Sequence, residues 1–139
     1  MRFLDANVFI YAYYKPRRPL TQSELKAKEK AKGVLAAISD GEEMVLTTVV
    51  HLSEVANILK RSLGIPVLNS LMLTILMMDN VRVEAVRPDT YMSSVELGGE
   101  LGLDPNDALA VETMQAEGVH EIYSFDRDFE GVRGIVRLP

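Results

Sequence analysis

The chain has 139 residues, 47% of them hydrophobic, which suits one domain with a substantial core and is short for two. Its net charge of −5 argues against a protein that coats nucleic acid by bulk electrostatics. The absence of cysteine excludes disulfides, zinc–thiolate sites and thiol nucleophiles, and nothing in it points to an oxidising compartment, so a cytoplasmic protein is expected.

Apolar periodicity predicts alternating strands and helices. Met1–Leu4 reads as a buried strand and Asn7–Tyr14 as a short helix, with Asp5 between them. KPRRPLTQ, with two prolines, is a loop. Thr21 and Glu24 have capping-box spacing and open a helix to about Ser39. DGEE is a turn, Met44–Thr47 a strand, and Thr48 the cap of a helix over Val49–Leu63 that Gly64 ends. A helix over about Pro66–Met78 contains the longest apolar run, IPVLNSLMLTILMM. Asn69 and Ser70 interrupt it, and it falls short of the ~20 residues of a membrane span. No basic-then-apolar leader opens the chain, so no targeting signal is expected. A strand Val81–Val86, helices over about Asp89–Leu101 and Pro105–Glu117, a strand Glu121–Phe125 and a last short strand near Ile135–Leu138 complete the order. Helices between strands imply an α/β fold with a parallel sheet. No repeat or linker divides it.

Ligands of such sheets bind beyond the carboxyl ends of the strands, and acids fall there. Asp5 ends the first strand and Asp126 follows the EIYSF strand. Glu54 and Asp107 sit within helices among core-type residues. Each has a structural reading too: Asp5 as the cap of the helix after it, Glu54 as an exposed helix acid, Asp107 as an N3 acid answering Asp104 at the N-cap with Pro105 at N1, Asp126 or Asp128 as turn residues. Together they are harder to dismiss, because converging carboxylates raise one another's pKa unless a cation neutralises them. Ligation by oxygen alone points to Mg²⁺ or Mn²⁺ rather than zinc. An ion held in this way can orient or deprotonate a water for attack on phosphorus, the chemistry of phosphodiester hydrolysis.

FLDANVFIYA, TTVVHLSEVANIL, LGLDPNDALAVETM and IYSFDRDF, in this order and spacing, resemble the four acidic motifs of PIN-domain ribonucleases over nearly the whole chain. The resemblance implies a single PIN-like domain over residues 1–139, with a central parallel sheet of about five strands flanked by helices on both faces. It implies Mg²⁺- or Mn²⁺-dependent RNA cleavage with Asp5, Glu54, Asp107 and Asp126 as the metal-binding catalytic acids, and Asn7, Thr48 and Ser124 as the polar residues that position acids or water. Many compact members, those of the VapC type, are toxins blocked by a small antitoxin protein, and dimers are frequent. Ser124 stands where Thr is commoner, and Asp128 is a spare acid beside Asp126, so which of the two faces the metal stays open.

The remaining candidates read as structural first. His51 is a helix-surface or packing residue rather than a ligand or base, and LMLTILMM is core or subunit interface. Tyr11, Tyr13 and Tyr14 fill core or meet a subunit, with base stacking the sharper alternative. Residues 1–61 hold ten Lys/Arg against seven Asp/Glu, while 62–139 hold five against thirteen. Much of the basic excess lies in KPRRP and KAKEKAK, a solvated helix face or a rim that guides phosphates. The alternative to a nuclease is a non-catalytic PIN-like module that keeps the acidic pocket for metal or for a basic partner. An aspartate-nucleophile phosphatase would need a second Asp where Asn7 stands, and a receiver domain would need an adjacent acidic pair after the first strand.

Overall fold

The computed structural model describes residues 1–139. Five strands, β1 (Arg2–Leu4), β2 (Val45–Thr48), β3 (Val81–Glu84), β4 (Glu121–Tyr123) and β5 (Val136–Leu138), form one sheet in the order β3-β2-β1-β4-β5, and every pairing is parallel. Six helices connect or flank them: α1 (Ala6–Tyr13), α2 (Gln22–Ser39), α3 (Val49–Leu59), α4 (Ile65–Met77), α5 (Pro88–Leu101) and α6 (Pro105–Glu117). A short 3-10 turn, Arg127–Gly131, precedes β5.

The two-residue period of a strand divides the core. Leu4, Val45 and Val81 point to one face, where α1 to α4 supply Val8, Phe9, Ala31, Leu52, Val55, Leu59 and Ile75. Phe3, Leu46 and Ile122 point to the other and meet Ala110, Val111 and Met114 of α6 together with Phe129 of the 3-10 turn. Both faces of the central strands are therefore apolar, as a helix-covered parallel sheet requires. The chain winds outward from β1 through β2 to β3, then crosses back to place β4 on the other side of β1. The switch point of the sheet thus lies between β1 and β4, beyond whose carboxyl ends ligands bind in folds of this kind.

The expected elements are present, with informative differences at their ends. α3 stops at Leu59 rather than Leu63, because Ser62 and Leu63 donate back to the Leu59 carbonyl in a tight turn. Gly64, expected to end α3, instead precedes α4 with an extended backbone (φ −66°). β4 ends at Tyr123 rather than Phe125, since the Phe125 N–H leaves the ladder for the Asn7 side-chain oxygen at 3.2 Å. The 3-10 turn has no counterpart among the expected elements; five residues are too short for a periodic signal, and it is anchored by the fully buried Phe129.

α5 and α6 pack backbone to backbone. A β-carbon on Gly98 would lie 2.6 Å from the Leu103 carbonyl oxygen and 3.4 Å from the Ala108 β-carbon. This close approach sets the position of the α6 N-terminus, which carries Asp107. No helix is long and apolar enough to cross a membrane.

Candidate metal centre

Asp5 sits where β1 turns into α1, flanked by the fully buried Leu4 and Ala6 and itself only 4% exposed. Its Oδ1 accepts the Ala6 N–H at 2.8 Å, and its Oδ2 accepts the Ser124 hydroxyl at 2.6 Å. The acid is thus both the cap of α1 and a member of the polar group at the switch point. Burial, with further pressure from Glu54 and Asp126, pushes its pKa up to about 6, although the Ser124 hydroxyl and the Ala6 N–H oppose the rise.

Ser124 joins the two strands. While its hydroxyl donates to Asp5, it accepts the Asn7 side-chain amide at 3.2 Å and the Asp126 N–H at 3.0 Å. Asn7 closes the circuit by accepting the Phe125 N–H. The pairing of β1 with β4 therefore fixes Asp5 against the segment that carries Asp126.

Asp107 occupies N3 of α6. Its N–H is capped by Asp104 Oδ1 at 2.8 Å, and Pro105 opens the helix as expected. One carboxylate oxygen from each of Asp107, Asp126 and Asp128 lies within 4.8 Å of the others. Asp126 is half-buried and accepts the Asp128 N–H at 2.9 Å, whereas Asp128 is exposed. Burial first, then the charges of Asp104, Asp5, Asp126 and Glu54, push the Asp107 carboxyl up to about 8. Asp5, Glu54, Asp107 and Asp126, drawn from four separate motifs, therefore share one electrostatic field.

Glu54, on α3, is held by a chain of contacts that the sequence reading missed. Asn106 donates its side-chain amide to Glu54 Oε1 at 3.1 Å while its own side-chain oxygen accepts the Tyr91 hydroxyl at 2.6 Å. The Asn106 carbonyl accepts His51 Nε2 at 3.1 Å. A carbonyl can only accept, so Nε2 carries the proton and Nδ1 accepts the Thr48 hydroxyl at 2.7 Å. Thr48 also caps α3, taking the His51 N–H at 3.2 Å. Burial pushes the His51 imidazole down to about 4, and the ring meets Phe3 edge-on at 5.0 Å between centroids. His51 is thus a neutral packing residue, as expected, and it ties the start of α3 to the start of α6. Thr48 serves this tie rather than touching an acid directly. Asn106 directly precedes Asp107 in PND, and that adjacency was its only sequence signal.

Chemically, this is a set of oxygen donors with no nitrogen or sulfur ligand among the converging side chains. The donors are hard, and their own repulsion favours protonation or a cation over four free charges. The residues present therefore fit a hard divalent ion.

The chain belongs to the PIN domain family, whose model matches residues 2–135. The family is one of nucleases that typically use divalent metals. No curated protein matches the chain in sequence. Among solved structures, the fold is shared with Mycobacterium tuberculosis VapC20, described as a sarcin-ricin loop cleaving toxin, at 23% identity and TM-score 0.72 over 98% of this chain and 97% of that one. It is also shared with a toxin–antitoxin complex from Klebsiella pneumoniae (20%, TM-score 0.64, 98% and 96%). A third match is VapBC2 from Rickettsia felis bound to a DNA fragment from its promoter (15%, TM-score 0.64, 99% and 96%).

Proposed function

We propose that the protein is an endoribonuclease dependent on Mg²⁺ or Mn²⁺, with Asp5, Glu54, Asp107 and Asp126 as its metal-binding catalytic acids. The observation that carries this reading is the gathering of acids at the switch point, where carboxylate oxygens of Asp107, Asp126 and Asp128 lie within 4.8 Å of one another. Burial first, then the charges of Asp104, Asp5, Asp126 and Glu54, push the Asp107 carboxyl there up to about 8. When bound, a divalent ion there supplies a Lewis acid for the phosphoryl oxygens and an oriented attacking water. The chain's own residues do the rest. Ser124 and Asn7 hold Asp5 and the Asp126 segment together, Asn106 and Tyr91 hold Glu54, and Asp104 caps the turn that presents Asp107. Asp126, the half-buried member of the pair, is the proposed ligand, and Asp128, exposed but within 4.8 Å of it, stands beside it.

The related toxin structures support the narrower role of a cytoplasmic toxin whose RNA cleavage is restrained by a small antitoxin protein. The apolar side chains that α4 leaves exposed, Ile65, Val67, Leu73, Leu76 and Met77, at 51–79%, support a homodimer. The test is incubation of purified protein with structured and unstructured RNAs in Mg²⁺, Mn²⁺ and EDTA, alongside Asp5→Asn shown to be folded by circular dichroism. Metal-dependent cutting that the variant loses is expected. Cutting that survives the substitution would overturn the assignment of the acids.

A further inference from the structure

The hydroxyl of Ser124 meets Asp5, Asn7 and the Asp126 N–H at once, so the position of the Ser124 backbone decides how these groups face one another. Its N–H continues the ladder onto β5, donating to the Leu138 carbonyl at 3.1 Å. Its carbonyl is taken by a side chain instead, Arg137 Nη1 of β5 at 3.0 Å. The same guanidinium donates through Nε and Nη2 to Glu130 Oε1, at 3.0 and 2.5 Å. Glu130 lies in the 3-10 turn that Asp126 caps. One side chain therefore bridges the two ends of the loop from Ser124 to Glu130, and the loop between carries both Asp126 and Asp128. Arg137 is also withdrawn from water, with its side chain 16% exposed against 46% for Glu130. A guanidinium placed in this way needs partners for its donors, and those it finds are the two ends of the loop. Its hydrogen bond holds the Glu130 carboxyl below its ordinary value, which keeps the pair charged.

We propose that Arg137 is a positioning residue for the metal centre: it clasps the loop from Ser124 to Glu130 and so holds Asp126 in place relative to Asp5. This role rests on the metal-binding reading of the acids, and Arg137 itself pairs with none of the four, its ion-pair partner being Glu130. Its effect differs in sign from an effect of charge. Removing a cation and unpairing Glu130 makes the neighbourhood more negative, which by itself favours a bound divalent ion. Loosening the loop does the opposite, because ligands that must be brought together on binding hold an ion less tightly than ligands already in place.

The test compares Arg137→Ala, Arg137→Lys and Glu130→Gln with the unsubstituted protein, by Mn²⁺ calorimetry at pH 8 and by amide hydrogen exchange in EDTA followed by NMR. Arg137→Ala is expected to weaken Mn²⁺ about tenfold, the low end for groups that orient metal ligands. Arg137→Lys keeps the charge and a donor for the Ser124 carbonyl, so it is expected to recover part of that loss. In EDTA the Phe125 and Asp126 N–H groups, which bond to Asn7 and Ser124, are expected to lose about tenfold in protection while the amides of β1 and β2 keep theirs. Glu130→Gln leaves β5 untouched and is expected to give a smaller loss at the same two amides, which keeps the test decisive if Arg137→Ala does not fold. Mn²⁺ affinity that is unchanged or raised in Arg137→Ala overturns the clasp. So does protection lost evenly across the sheet, which would make Arg137 a fastener of β5 alone. If the unsubstituted protein binds Mn²⁺ and Arg137→Ala binds it equally, the clasp fails and the metal reading stands. If the unsubstituted protein binds no Mn²⁺, the metal reading fails, and local loss of protection at Phe125 and Asp126 supports the clasp while its absence overturns it.

Discussion

Asp5→Asn is expected to act in opposite directions on stability and on metal binding. A carboxyl moved from its ordinary 3.8 to about 6 by burial costs the folded state about 3 kcal/mol once it is ionised in both states. Because the folded pKa is the raised one, the folded protein holds this proton longer than the unfolded chain. The cost is therefore small near pH 4, grows as pH rises and is complete above about pH 6. Asparagine removes it and can still accept the Ala6 N–H, but it weakens the charge-assisted contacts to Ala6 and Ser124 by about 1 kcal/mol. The net gain in EDTA at pH 8 is then about 2 kcal/mol, or about 6 °C in Tm for a chain of this size, and it vanishes at pH 4. Saturating Mn²⁺ reverses the order, since an ion at 100 times its Kd stabilises the unsubstituted protein by about 2.7 kcal/mol and the variant hardly at all. Urea unfolding followed by circular dichroism reads both effects. A variant less stable than its parent at pH 8 in EDTA, or equally stabilised at both pH values, would refute the reasoning.

Metal binding must displace protons from Asp107, near 8, and Asp5, near 6, so the Mn²⁺ affinity measured by calorimetry is expected to rise about 100-fold from pH 6 to pH 8 and to flatten above; a flat profile contradicts it. Asn106→Ala frees Glu54 and leaves the Tyr91 hydroxyl unpaired, so metal affinity is expected to fall at least about tenfold with a stability loss of about 1 kcal/mol. Unchanged affinity would show that Glu54 needs no such support. Gly98→Ala forces a β-carbon against the Leu103 carbonyl at 2.6 Å and is expected to cost about 1–3 kcal/mol, read as a lower urea midpoint; an unmoved midpoint would contradict the close approach of α5 and α6.

Much of this fold is legible in the sequence because its signals are local. Thr21 and Glu24 form the capping box that their spacing predicts, with both reciprocal bonds present. Asp104 and Pro105 open α6 as read. Boundaries set by tertiary contacts are not legible in this way. β4 stops where a side chain of α1 captures the Phe125 N–H, and no pattern within EIYSF encodes that capture. The same limit applies at the site. Four acids are conspicuous against an apolar background, yet Asn106 and Tyr91 look like ordinary polar residues until α3, α5 and α6 bring them to Glu54. By resemblance Thr48 is expected to position an acid or water; its hydroxyl meets a histidine ring three residues on, a contact that depends on the turn from β2 into α3.

The acids are also where the molecule works against its own stability. A parallel sheet must send every strand's carboxyl end to one edge, and the crossover from β3 to β4 opens a crevice at that edge between β1 and β4. Filling the crevice with apolar side chains would stabilise the fold. This chain instead places Asp5 there, between two fully buried residues, where burial first and then the charges of Glu54 and Asp126 raise its pKa, and it buries Asp107 among further acids that raise its pKa as well. Hydrogen bonds from Ser124 and Ala6 offset only part of the cost, because the carboxyl remains raised in spite of them. A group with a purely structural role would sit in its most favourable environment; these sit in one that only a proton or a cation relieves. That cost at Asp5 and Asp107, more than the count of acids, is what a capped helix with acidic neighbours does not by itself explain.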